Sequence, residues 1–168
     1  MSDIRVESFQ RSSARAWDRV QQRIGEIERE VFGEDAFSPE ELRAAFTGRE
    51  NLAVLLWDAG VVIGYTQAGP ARARETYYIA NTAIAPSYQG RGLIRPLMER
   101  LYTEVRAAGA HFIERDAAIA NGYADKIVRF HAADIIRTRD HESPYGRQRF
   151  IRMRVPGPDR ADGAPGQG

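Results

Sequence analysis

Cysteine is absent from the 168-residue chain. That excludes a disulfide framework, a Cys-based zinc site and a thiol nucleophile. Lysine is nearly absent: Lys126 is the single one, so 23 of the 24 basic residues are arginines. Long apolar runs are missing too. A membrane-spanning helix needs roughly 20 consecutive apolar residues, and every uninterrupted stretch here is far shorter. The opening residues Met1-Ser2-Asp3-Ile4-Arg5 have no apolar signal core, and the expectation is a cytoplasmic protein with no membrane partner. An excess of one charge sign is also lacking, with 24 basic residues against 23 acidic and a formal net charge of +1. Nucleic-acid binders normally carry a clear positive excess to neutralise phosphates, so nucleic acid is not an expected partner. The arginine bias is most simply codon bias; retention for phosphate or carboxylate contacts is the sharper alternative.

What is present is 43% hydrophobic and 28% charged residues, enough for one globular domain with a sizeable core. Ile4 to Phe9 alternates apolar and polar residues, as a half-buried strand does. Ser12 or Ser13 can cap a helix carrying Trp17, Val20, Ile24, Ile27 and Val31 at helical spacing, which Gly33 can end. Ser38-Pro39-Glu40-Glu41 is a helix start, with Ser as cap, Pro at the first helical position and Glu three residues after the cap. Leu52 to Trp57 and Val61 to Tyr65 flank a short Gly-containing turn and predict a hairpin. Thr76 to Ala85 is a long β-prone stretch stopped by Pro86. Leu93, Leu97, Leu101 and Val105 predict a helix ending at Gly109. A strand from His111 through Ala118, a helix over Ala124 to Ala132, and strands at Ile135-Ile136 and Phe150 to Val155 follow. Arg152 and Arg154 are expected on a solvated face. The element order is β-α-α-β-β-β-α-β-α-β-β, an α/β chain (α+β in its pairing) with a mixed sheet. Residues 1–155 are expected to form the domain. Residues 156–168, rich in Gly and Pro, are expected to be a disordered tail.

One segment carries chemistry: Pro86-Ser87-Tyr88-Gln89-Gly90-Arg91-Gly92-Leu93-Ile94. It follows a strand and opens a helix, where unpaired N–H groups and the positive end of the helix dipole favour phosphate. Its glycines let the backbone approach a ligand closely. Arg91 can add a planar charged donor. The pattern is neither GxxxxGK[ST] nor GxGxxG in a leading βαβ unit, so a P-loop and a dinucleotide site both fail.

Gln89-Gly90-Arg91-Gly92-Leu93-Ile94 resembles the pyrophosphate loop of the GCN5-related N-acetyltransferase (GNAT) superfamily, Q/R-x-x-G-x-G/A. The preceding strand, the following amphipathic helix and the element order match that superfamily over roughly residues 4 to 155. The resemblance implies a single GNAT-like domain with a mixed, mostly antiparallel sheet of six to seven strands flanked by helices. It implies acetyl-CoA as co-substrate and no metal. Its binding residues would be Gln89, Gly90, Arg91, Gly92, Leu93 and Ile94 for the pyrophosphate, the backbone of Ala83, Ile84 and Ala85 for the pantetheine, and Asn121. The strands at 76–85 and 111–118 would splay apart to admit the pantetheine. Ile94 departs from the family's small residue, placing a β-branched side chain near the ligand. Asn121-Gly122 is also a good turn dipeptide, and both roles are compatible.

The superfamily chemistry is direct attack of an amine on the thioester in a ternary complex, which agrees with a chain lacking cysteine. It needs a base for the ammonium and an acid for the leaving thiolate. Asp116 lies five residues before Asn121, a spacing that resembles the Glu–Asn pair of the ribosomal-protein N-terminal acetyltransferases; Glu114 is the reserve. The superfamily's other base position falls on Tyr78, which cannot accept a proton at neutral pH. The family acid falls on Val128, so the acid is missing or relocated, with Tyr123, His131 and Tyr145 nearby. A charged imidazole at His131 is favoured by the helix dipole. His111, His131 and His141 are too scattered to suggest a metal site. The acceptor pocket would be walled by residues 31–46, 70–75 and 140–149, the last matching the family's last hairpin and being polar and rich in turn formers. Their mixed charges leave open whether the partner is a small-molecule amine or a protein or peptide amine. A homodimer is compatible with such a domain. The alternatives are a non-catalytic CoA-binding regulatory module and an acyltransferase using a longer acyl donor.

Overall fold

The computed structural model describes residues 3–9 and 14–158. Ser12, Ser13 and the tail from residue 159 lie outside the described residues. The chain runs β1 (Ile4–Ser8), α1 (Ala14–Phe32), α2 (Pro39–Thr47), β2 (Leu52–Asp58), β3 (Val61–Pro70), β4 (Thr76–Ile84), α3 (Ile94–Ala107), β5 (Phe112–Ala118), α4 (Tyr123–Phe130), β6 (Ile135–Ser143) and β7 (Gly146–Arg154). This is the expected element order. The seven strands form one sheet in the order β1-β2-β3-β4-β5-β7-β6. Every pair is antiparallel except β4–β5, which is parallel and needs α3 as its crossover.

Local chemistry explains the elements. The α2 start is a full capping box: Glu41 N–H donates to Ser38 Oγ (3.1 Å) and Ser38 N–H to the Glu41 carboxylate (2.9 Å), with Pro39 first in the helix. Between β2 and β3 the two-residue turn Ala59-Gly60 has both φ angles positive (47° and 82°), which matches the twist of a hairpin. Alternation in the strands builds two cores. On one face Trp17, Val20, Ile24 and Ile27 of α1 and Phe46 of α2 pack on Leu55, Val62 and Tyr65. On the other, Leu97, Leu101 and Val105 of α3 pack on Val54, Leu56, Ile63 and Ile113. A smaller cluster seats Ala124 and Ile127 of α4 on Ala117 and Ile151.

Two readings need correction. The last two strands are longer than Ile135-Ile136 and Phe150 to Val155: β6 and β7 run on through residues 140–149, paired from Ile135↔Met153 to Ser143↔Gly146, leaving only Pro144 and Tyr145 as the turn. A polar, exposed edge strand looks like a loop in sequence because neither face is covered. Nor is Arg152 solvated. It lies over the Phe112 ring at 4.5 Å and donates to Glu114 (3.3 Å) and Thr76 (3.2 Å), with its side chain only 19% exposed. Arg154 is exposed as expected.

Candidate active site

β4 and β5 pair only at Thr76↔Phe112, Tyr77↔Ile113 and Tyr78↔Glu114. Beyond that register the strands continue to Ile84 and Ala118 without pairing to each other, so the sheet opens into a V with its vertex at Tyr78 and Glu114. Past the vertex, the β4 edge facing β5 has no ladder partner.

The glycine loop lies at the open end of β4, on the α3 side. Gly90 and Gly92 have φ of 76° and 72°, the left-handed region that favours glycine. A Cβ added at Gly90 would meet nothing within 4 Å, which leaves room for a ligand. α3 starts at Ile94 after Leu93, and no side chain caps it, so its first N–H groups are available to an anion. Ile94 itself turns inward with Leu93 onto the α3 core; its side chain is therefore not directed at the ligand position. Gln89 Nε2 donates to the Ile84 carbonyl (2.9 Å), and Ala85 N–H donates to Ile63 O (2.8 Å). A ligand strand pairing along Ala83, Ile84 and Ala85 must displace Gln89 or use the groups these bonds leave over. Arg91 folds back, donating to Ser87 O (3.0 Å) and stacking on Tyr88 at 4.9 Å. Asn121 Oδ1 accepts from Tyr123 N–H (3.0 Å), a turn role at the start of α4.

Asp116 sits just past the vertex, on the face covered by α1 and α2. Its two oxygens are both engaged: Tyr78 Oη donates to one (2.6 Å), and His141 Nε2 is 2.6 Å from the other. The Tyr78–Asp116 bond bridges the two strands at the vertex of the V. Burial, then Asp116, pushes the Tyr78 hydroxyl well above its usual range, so it remains a donor. The His141 imidazole is raised above its ordinary value, first by the hydrogen bond to Asp116. Residue 141 lies on β6, two strands from β5, and only the order β5-β7-β6 brings it here. Glu114 is spent on Arg152.

Arg115 points to the opposite face. It is 7% exposed and forms no ion pair with a carboxylate among the described residues. Nη2 donates to Tyr123 Oη (2.8 Å), the guanidinium lies over the Tyr123 ring at 5.4 Å, and Nε is buried without a partner. His131 follows α4 and stands 3.5 Å from the Tyr102 hydroxyl. Burial, then Arg115, pushes its pKa down to about 4, so the imidazole is neutral near pH 7. That outweighs the helix dipole, which favours the charged form. Val128 packs on the small α4 cluster. Tyr145 is 57% exposed at the β6–β7 turn.

Two acidic features escaped the sequence reading. Glu28 of α1 is 1% exposed; it accepts from Asn81 (2.6 Å), the Phe37 N–H (2.9 Å) and the Tyr65 hydroxyl. Arg149 is held by Asp140 (2.6 Å) and Asp125 (2.8 Å), tying the β6–β7 hairpin to α4. Among the described residues, no group of three or more His, Asp or Glu is placed to hold a metal ion, and no helix is long and apolar enough to cross a membrane.

A parallel pair splays beside an uncapped, glycine-led helix, an arrangement with anion-accepting N–H groups next to an open strand edge. The model of the acetyltransferase (GNAT) family matches residues 17–131, and the chain belongs to that family. The family's co-substrate is acetyl-CoA, and the uncapped α3 start and open β4 edge fit it. No curated protein matches the chain. Solved structures share its fold. The ribosomal-protein-S18-alanine N-acetyltransferase from Escherichia coli is 17% identical, with 90% of this chain and 94% of that one covered at a TM-score of 0.68. The aminoglycoside 6'-N-acetyltransferase from Enterococcus faecium is 14% identical, with 92% and 99% covered at 0.71. The yncA protein from Salmonella typhimurium, assigned as an acetyltransferase and solved with its cofactor acetyl-CoA, is 19% identical, with 98% of each chain covered at 0.68.

Proposed function

We propose that this acetyltransferase moves the acetyl group of acetyl-CoA to a primary amine by direct attack in a ternary complex, with Asp116 as general base. One observation carries the reading: the Asp116 carboxylate stands at the vertex of the splay, held between Tyr78 and His141. A carboxylate there attracts an ammonium and takes its proton, and His141 passes that proton towards solvent. Tyr78 holds the carboxylate in place. On the other face the N–H groups around Gly92, Leu93 and Ile94 receive the pyrophosphate. Asn121 and the free β4 edge receive the pantetheine. Tyr123, whose oxygen already accepts from Arg115, has its own hydrogen left to give to the departing sulfur. Bound acetyl-CoA supplies the activated thioester; the chain supplies orientation and proton transfer.

The reading predicts turnover with a subset of amines when the protein and acetyl-CoA are screened against small amines, amino acids and peptides and the products are read by mass spectrometry. Binding of CoA with no product from any amine would favour the non-catalytic module, which Val128 at the family acid position supports.

A further inference from the structure

A buried guanidinium without a carboxylate costs free energy that something must offset. Arg115 is such a group, and its place is informative. It is the residue after the last position of β5 paired with β4, and Asp116 follows it, so the two side chains leave the strand on opposite faces. Asp116 faces the α1 and α2 side. Arg115 faces the α3 and α4 side, where the glycine loop lies. A thioester at the vertex therefore has a carboxylate on the amine side and a cation on the sulfur side.

The groups around Arg115 come from every neighbouring element. Tyr102 acts on it from α3, Tyr123 from the start of α4, His131 from beyond its end and Tyr78 from across the sheet, while Asp134 acts on Tyr102 and His131. His131 is neutral and the Tyr102 hydroxyl, pushed up to about 12 by burial, stays protonated. The guanidinium touches Tyr123, at its oxygen and over its ring.

We propose that Arg115 is a positioning residue for the relocated acid: it holds Tyr123 by its oxygen and stabilises the negative charge that passes from the leaving sulfur to the phenol. The inference rests on the acetyl-transfer reading above. In the step, the amine nitrogen bonds to the carbonyl carbon, the carbon–sulfur bond breaks and its electron pair goes to sulfur. Tyr123 gives its proton to that sulfur and becomes a phenolate beside Arg115. The phenolate regains a proton from solvent. The two protons lost by the ammonium nitrogen leave through Asp116 and His141, so one proton is released overall.

The test compares binding of CoA with desulfo-CoA, which lacks the sulfur, by calorimetry at pH 6.5 and pH 9. The wild type is expected to prefer CoA at pH 9, where the thiol ionises, by about tenfold, the scale of one charge-assisted hydrogen bond. Arg115→Gln and Tyr123→Phe are each expected to abolish that preference while still binding desulfo-CoA. Tyr123→Phe keeps the ring under the guanidinium, so it decides the matter if Arg115→Gln does not fold. An unchanged preference in the variants overturns the Arg115 assignment alone. Failure of the wild type to bind either compound overturns the acetyl-CoA reading beneath it.

Discussion

Asp116 is one carboxylate with two partners, and each partner has a separate consequence. The imidazolium form of His141 pairs with one carboxylate oxygen; loss of its proton leaves that oxygen for the ammonium. Because Asp116 raises His141 above its ordinary value of 6.5, the acid limb of kcat/KM is expected to have its midpoint above 6.5. His141→Asn should remove that limb and leave a lower, flatter profile; an unchanged limb would assign it to another group. The stability linkage has the same sign. A raised native pKa means the contact contributes below pH 6.5 and its contribution is lost as pH rises through the native value.

At this scale the sequence was partly legible. Asp116 stood out by its five-residue distance from Asn121. His141 did not, because 25 residues and two strand pairings separate it from Asp116, and no local period links them. Arg115 did not stand out, because alternation sends it to the face opposite Asp116 and its partner Tyr123 lies on another element.

Among the elements, the glycine loop and α3 were the most legible, because left-handed glycines ahead of an amphipathic helix leave a local signature. Gly92 at φ 72° predicts a specific cost: Gly92→Val forces an L side chain into that region, at about 1–2 kcal/mol, and puts a Cβ branch at the phosphate position. The Kd for CoA, measured by calorimetry, should rise by roughly tenfold or more with the fold intact by circular dichroism; an unchanged Kd would remove the loop from the binding site. The β6–β7 hairpin was the least legible element. Its pairing partners are strands rather than a core, so its polar residues carry no period that separates strand from loop. The inward turn of Ile94 was hidden for a related reason: the starting phase of α3, not the motif, decides which way that side chain points.

For the whole molecule, the two-faced sheet was foreseeable from the element order, while its splay followed only from the family resemblance. Nothing local marks the end of β4–β5 pairing. Glu28 shows how tertiary packing overrides composition, because this buried carboxylate ties α1 to β3, β4 and the segment before α2 through three donors. Glu28→Ala leaves those donors unpaired and is expected to cost at least about 3 kcal/mol. For a chain of this length that lowers Tm by on the order of 10 °C in a thermal melt. A shift within about 1 °C of zero would mean that water replaces the carboxylate without loss.

The most direct test measures free CoA thiol released by the wild type and by Asp116→Asn with an amine accepted in the screen, at equal CoA occupancy. The amide keeps the shape of the carboxylate and a partner for Tyr78 but cannot take the ammonium proton. A fall in kcat of roughly a hundredfold or more, with the Kd for CoA unchanged, is the predicted result. Equal rates for the two proteins would contradict the assignment of Asp116 as the base on which the account rests.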